Sequence, residues 1–246
     1  MLLECEDVAV AQRLAPFSAS VGKGELIHLL GPNGAGKSSL LAALAGLLEA
    51  QGQIVFAGRP LADWRGYALA RHRAYLAQQQ LAVASMPVWH YLQMHQPVGG
   101  ESSEQILLTL CEDFQLADKL ARSLSHLSGG EWQRVRLVAV LWQIAQPDGR
   151  LLLLDEPLTG LDLAQQAAFD RCLNAKIAAG LTVIMSGHDI NHSLHHAQQV
   201  WLLKEGVLLK RGAAAEVLQP EILTKVYQVP FRKIETEGRS LLTTLF

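Results

Sequence analysis

Short uninterrupted apolar runs alternate with longer helix-like stretches over most of the chain, with glycine-bearing polar turns between them. Residues 2 to 30 hold several β-like runs, the last being "LIHLL" from Leu26 to Leu30, and "GKGE" from Gly22 to Glu25 interrupts them. "SLLAALAGLL", Ser39 to Leu48, reads as a helix, and "GQIVFAGRPL", Gly52 to Leu61, returns to strand and turn signals. From about Leu81 to Gln146 the pattern is mostly helical, as in "SEQILLTLCEDFQL", which makes this insert the candidate subdomain. The alternation resumes with "LLLLD" at 151 to 155, the helix "AQQAAFDRCLNAKIAAG" and the strand "LTVIMS" at 181 to 186. "VWLLKEGVLLKRG" predicts two strands around a Glu-Gly turn. Continuous apolar strands alternating with helices predict an α/β fold whose mainly parallel sheet is buried on both faces.

Composition narrows the function. Half of the 246 residues are apolar, 18% are charged and the net charge is -2, so no overall positive field draws in nucleic acid. Cys5, Cys111 and Cys172 are odd in number, scattered and without C-x-x-C spacing, which argues against a disulfide framework or a cysteine zinc site. The N-terminus "MLLECEDVAV" is acidic where a signal peptide is basic, and no apolar run approaches the roughly 18 residues that a membrane span needs. Work at a membrane would therefore require a partner to hold the chain there.

Two motifs carry the chemistry. "GPNGAGKS" fits G-x-x-x-x-G-K-[ST] between a predicted strand and a predicted helix. Gly31, Gly34 and Gly36 let the backbone curl through Pro32, Asn33 and Ala35, so that N–H groups face phosphates. Lys37 adds charge at the β- and γ-phosphates, and the Ser38 hydroxyl, followed by Ser39, can ligate Mg²⁺. "LLLLDEP" delivers Asp155 and Glu156 to the carboxyl end of a buried strand, where ligands of open α/β sheets sit. There Asp155 would hold the Mg²⁺ water shell and Glu156 would orient an attacking water, although Asp-Glu-Pro also suits a plain helix start. "HLSGGEWQRV" then raises a question. Ser128 and Glu131 have capping-box spacing with Gly129 and Gly130 between them, so this is either an ordinary capped helix start or a second anion site.

With the glycine loop, "LLLLDEP", "LSGGE" at 127 to 131 and His188 after "LTVIMSG", the sequence resembles the ATP-binding cassette ATPases from about Leu2 to Arg211. The resemblance implies a P-loop NTPase (RecA-like) core, an N-terminal antiparallel β subdomain and an inserted α-helical subdomain. It makes 1–246 a single cassette domain, with 1–80 and 147–246 as core and 81–146 as the helical insert. It implies that Glu156 is catalytic, that His188 bonds the γ-phosphate, and that Gln78 senses Mg²⁺ together with Ser38 and Asp155. Asp162 would lie at the contact between two cassettes, and Ser128 to Glu131 would face ATP held by a second copy in a head-to-tail dimer, the isologous arrangement of two-fold symmetry. Implied partners are that second copy, an integral-membrane permease dimer and, indirectly, a periplasmic substrate-binding protein, with no nucleic acid. The implied cofactors are ATP and Mg²⁺, and the implied location is the cytoplasmic face of a bacterial inner membrane.

Finer features follow the same likeness. "QQQ" before "PVWHYL", with "LSGGEWQRVRLVAV", is similar to cassettes that energise vitamin B12 import, with iron-siderophore or haem import and soluble roles in translation or DNA repair as alternatives. Met86, Val88, Trp89 and Tyr91 are expected near a permease helix, or else Trp89 and Tyr91 belong to the subdomain core. No aromatic ring in "DVAVAQRLAPF" matches the family's adenine platform; Arg13 either stacks there or is a solvated arginine. His188, His192 and His196 are spaced to share one helical face, which is a weak mimic of a metal site unless the helix begins after His188.

Overall fold

The computed structural model describes residues 1–78, 85–97 and 102–244. Its elements, in chain order, are strands β1 (Leu3–Val10), β2 (Leu14–Val21) and β3 (Leu26–Leu30), helix α1 (Lys37–Leu44), strands β4 (Gln51–Phe56) and β5 (Arg59–Pro60), helix α2 (Gly66–His72), strand β6 (Arg73–Leu76), and helices α3 (Val88–Gln93), α4 (Ser102–Asp113) and α5 (Gly129–Gln143). Then come β7 (Leu151–Leu154), α6 (Leu163–Ala178), β8 (Thr182–Ser186), α7 (Ile190–His196), β9 (Gln199–Lys204), β10 (Val207–Ala213), α8 (Ala214–Val217), α9 (Pro220–Tyr227), β11 (Phe231–Thr236) and β12 (Arg239–Thr244). The chain divides into two compact units, Met1–Asp63 with Ile184–Phe246, and Trp64–Val183.

In the first unit, β2, β1, β4 and β5 form an antiparallel sheet in that order. Its register slips between Cys5 and Val8, where Asp7 has positive φ and donates its amide to the Ser18 hydroxyl at 3.0 Å. β3, buried along its whole length, pairs in parallel with β9 from Ile27 opposite Gln199 to Leu30 opposite Leu202. β9 turns back into antiparallel β10 through Glu205 and Gly206, both at positive φ, as the Glu-Gly signal predicts. Beneath them Leu30, Val200, Leu202, Val217, Leu223 and Val226 make a continuous apolar cluster that also takes in Leu242 of β12. The β11–β12 hairpin turns at Glu237 and Gly238, again both at positive φ, and is tied to α7 by the Asn191 side chain. That amide donates to the Leu242 carbonyl at 2.9 Å and accepts the Leu242 amide at 2.7 Å.

The second unit is built around β6, β7 and α5. The two strands run in parallel from Arg73 opposite Leu151 to Leu76 opposite Leu154, so their carboxyl ends emerge side by side. α5 is buried continuously from Gln133 to Trp142, which makes it the unit's central post. The Trp142 indole donates to the Ser103 carbonyl at 2.8 Å, and Leu110, Cys111 and Phe114 of α4 are buried in the same unit. Across the described chain the three cysteines are free. Burial pushes the Cys5 thiol up to about 12, with Arg211 opposing, lifts Cys111 to about 11, and raises Cys172.

The mainly parallel strands, the N-terminal antiparallel sheet and the helical segment agree with the α/β expectation. Some edges differ. α1 starts at Lys37 and stops at Leu44, short of the Leu48 that the apolar run suggested, because Gly46 takes a left-handed φ and caps the helix with its amide on the Ala43 carbonyl. The stretch 79–84, which ends the expected core segment 1–80 and begins the expected insert 81–146, lies outside the described residues, as do residues 98–101.

Candidate functional site

The glycine loop connects buried β3 to α1 in the first unit. Gly31 is there because nothing larger fits: with φ at 147°, a Cβ would sit 2.1 Å from the Leu203 carbonyl oxygen. Gly36 has φ of 99°, and its Cβ would meet the Arg13 carbonyl oxygen at 2.9 Å, whereas a Cβ at Gly34 would meet nothing within 4 Å. The loop is pinned from behind and open in front. The Ala35 amide bonds the Pro32 carbonyl at 3.1 Å, and the Ala35 carbonyl accepts the Gly206 amide at 3.2 Å. α1 carries no side-chain cap and no acid in its first turn, so its leading N–H groups face forward without a competing carboxylate. Buried Lys37 turns its ammonium onto the Gly31 and Pro32 carbonyls at 2.7 and 3.1 Å. A pinned loop, an uncapped helix start with Ser38 and Ser39 in its first turn, and a cation within the curl fit a chain of phosphates.

In the second unit, the carboxyl ends of β6 and β7 bring Gln78 and Glu156 together, with Gln78 Nε2 donating to Glu156 Oε1 at 2.9 Å. Glu156 holds a left-handed φ of 50°, uncommon for a residue other than glycine, and closes a turn with the Thr159 amide on its carbonyl at 3.3 Å. Asp155 is buried, its amide bonded to the Leu76 carbonyl at 2.9 Å. Its charge acts on Tyr75, whose phenol is pushed up to about 12 by burial first and Asp155 second, against the pull of Arg136 and Arg73. A carboxylate fixed at a strand end and a second one oriented by an amide suit metal ligation and water activation respectively.

The start of α5 has both halves of the capping box. The Ser128 hydroxyl accepts the Glu131 amide at 3.2 Å, and Glu131 Oε2 accepts the Ser128 amide at 2.8 Å. That amide, the Ser128 hydroxyl, Arg122 and Lys119 hold the Glu131 carboxyl below its usual range, against a desolvation that opposes them. The two glycines differ. A Cβ at Gly129 would meet nothing within 4 Å, while one at Gly130 would lie 2.8 Å from the Gly160 carbonyl oxygen. Gly130 thus has a packing reason within its own chain, and Gly129 has open space. Asp162 caps α6, accepting the Gln165 amide at 2.8 Å, next to Leu163, which is 84% exposed.

Other expected residues are sorted by the structure. His188 is exposed after β8 and lies outside α7, which begins at Ile190 behind the Asp189 cap; only His192 and His196 share its face, stacked 4.5 Å apart. Arg13 has an exposed side chain while its carbonyl packs against Gly36 and Gly206. Val88 is buried, Met86 and Tyr91 are half-buried, and Trp89 is exposed; Tyr91 meets Trp132 edge-on at 4.9 Å. Three polar residues of α5, Gln133, Arg134 and Arg136, are buried outside any motif of the sequence, although an arginine inside "VRLVAV" is a signal that marks Arg136.

Glycine loop, strand-end acids and capped glycine helix are the marks of a P-loop ATPase of the cassette type. The family model described as ABC transporter matches residues 14–159, and the chain belongs to that family as an ATP-binding, ATP-hydrolysing cassette. It is 51% identical over 244 residues to the vitamin B12 import ATP-binding protein BtuD of Salmonella heidelberg, covering 98% of this chain and 97% of that protein. The protein of the same name from Citrobacter koseri is 50% identical over equal shares. Among solved structures, the ATP-binding subunit of an ABC transporter superposes with a TM-score of 0.81 at 25% identity, covering 88% of this chain and 92% of that one. No helix among the described residues is long and apolar enough to cross a membrane.

Proposed function

We propose that this chain is the ATPase subunit of a vitamin B12 importer, and that two copies bind and hydrolyse ATP head to tail. The observation that carries the cargo is the 51% identity that runs end to end with proteins named for vitamin B12 import; related iron-siderophore or haem cargoes are the alternative the test must separate. In this reading 1–246 is one cassette, with 81–146 as its helical subdomain. ATP lies on Gly31 to Ser39, with Lys37 at the β- and γ-phosphates and Mg²⁺ held by Ser38, Gln78 and Asp155. Mg²⁺ supplies neutralisation of charge on the phosphates. Glu156 orients the attacking water and takes its proton as the bond to the γ-phosphorus forms, ADP leaves, and the proton remains on the carboxyl until phosphate departs. The Gln78 amide donates to Glu156 Oε1 at 2.9 Å and the Thr159 hydroxyl to Oε2 at 3.5 Å, and these two donors fix the direction in which the carboxylate presents itself. His188 bonds the γ-phosphate, and Ser128, Gly129, Gly130 and Glu131 close over the ATP of the other copy. The partners are a permease dimer in the inner membrane and, through it, a periplasmic binding protein, with the chain peripheral on the cytoplasmic face.

Glu156→Gln is expected to abolish steady-state hydrolysis while prolonging an ATP-bound dimer; unchanged turnover removes Glu156 from this role. Ser128→Arg and Lys37→Ala chains should each be inactive alone and regain one intact site when mixed. Heterodimers that form without regaining activity refute action in trans. Co-purification from membranes should recover an integral subunit, and vesicles holding that complex should accumulate cobalamin on ATP addition. Accumulation of a ferric siderophore or haem instead would reassign the cargo.

A further inference from the structure

Gln133 and Arg136 stand one helical turn apart on α5, both buried, and each reaches a carbonyl next to a residue of the hydrolytic pair. Gln133 Nε2 donates to the Pro157 carbonyl at 3.0 Å, beside Glu156. Arg136 Nη2 donates to the Ala77 carbonyl, beside Gln78, and Arg136 Nη1 donates to Gln133 Oε1 at 3.1 Å. With the Gln78–Glu156 bond at 2.9 Å, the contacts close a ring: Ala77 and Gln78, across to Glu156 and Pro157, across to Gln133, then Arg136, and back to Ala77. One arc of that ring is the helix that starts at Ser128. Burial lowers the Arg136 pKa, opposed by Tyr91 and Tyr75, yet a guanidinium stays protonated. An always-charged fork held by neutral acceptors is an expensive choice for a helix interior that leucine or methionine would fill.

We propose that Gln133 and Arg136 are positioning residues that tie the start of α5 to the Gln78–Glu156 pair. A pull on Ser128 to Glu131, from ATP on a second copy, is carried along the helix to the Ala77 and Pro157 carbonyls and resets the bond that orients Glu156. Helix α5 then reports to its own chain's carboxylate as well as meeting its partner's nucleotide. The inference rests on Glu156 being the hydrolytic residue, and the test separates the two.

Arg136→Lys keeps the charge and loses the fork, and Gln133→Met keeps the shape and loses both bonds. In the purified full chain, each is expected to lower kcat for ATP by about 10- to 100-fold, the range for a hydrogen bond to a charged or catalytic group, with KM within about two-fold. Placed on Gln78→Ala, each should lower kcat by less than about two-fold further, because the ring is already open. A structural role alone would lower kcat by the same factor in both backgrounds, and that additivity overturns the proposal. Turnover within about two-fold of wild type in Gln133→Met, while Glu156→Gln is inactive, also overturns it. Active Glu156→Gln defeats the hydrolytic assignment instead. Should Arg136→Lys not fold, the Gln133→Met pair decides alone.

Discussion

Replacing either glycine of "LSGGE", Gly129 or Gly130, by alanine adds one methyl group, but the two methyls meet different surroundings. At Gly129 the Cβ has nothing within 4 Å, and the residue is the first of α5. Alanine there restrains the unfolded chain and favours the helix, worth about 0.5 kcal/mol at a helix start. For a chain of this length that is a rise in Tm of about 1–2 °C. At Gly130 the Cβ falls 2.8 Å from a backbone oxygen, that of Gly160, which itself sits at φ of 79° in the turn after Glu156. Overpacking against backbone costs about 1–3 kcal/mol; less the helix gain, the net loss of about 0.5–2.5 kcal/mol lowers Tm by about 1–10 °C. Differential scanning fluorimetry reads this split. ATPase assays then read the partner: Gly129→Ala, stable by itself, should lose at least about ten-fold in turnover because its methyl stands where the second copy's phosphates approach. Binding of a fluorescent ATP analogue to its own loop should stay unchanged. A stabilised Gly129→Ala with full turnover refutes the phosphate approach in trans, and equal Tm losses for both variants refute the steric argument.

Three further outcomes are expected. The lowered Glu131 pKa contributes stability that is complete above the ordinary carboxylate range and is lost as pH falls through the folded value, so the Tm gap between wild type and Glu131→Gln should shrink below about pH 4; a gap independent of pH down to acid unfolding contradicts it. Gly31→Ala must displace the Leu203 carbonyl, so its ATP affinity should fall at least about ten-fold even in soluble, folded preparations measured by calorimetry. Asn191→Ala strands both main-chain groups of Leu242, lowering stability by about 1–3 kcal/mol, and hydrogen exchange should quicken first across 231–244.

Local chemistry was legible where a residue's role is decided by its neighbours in sequence. Ser128 and Glu131 predicted a capping box and both its bonds are present; the Glu-Gly pair at 205 and 206 predicted a hairpin and both residues have positive φ. The same dipeptide at 237 and 238 makes the same turn, but β11 is almost wholly exposed and lacks the apolar alternation that would have announced a strand. Gly130 read as an anion-site glycine, and its approach to Gly160 belongs to tertiary packing that no local pattern encodes. Arg136 and Ala77 are 59 positions apart, so their bond could be found only once β6 and α5 were placed.

The two buried thiols and the half-buried third have a practical side. At the near-neutral pH used for maleimide coupling, a thiol whose pKa is about 11 or 12 is thiolate in roughly one molecule in ten thousand or fewer, and the thiolate is the reacting form. Cys172 is half-buried, and burial raises its thiol in the same direction. A single reporter cysteine at exposed Leu163, beside Asp162, can therefore carry a dye or a spin label without first stripping the native sulfur from the chain. Distances between two such labels would follow the approach and parting of two copies through each turnover, with the molecule otherwise unaltered.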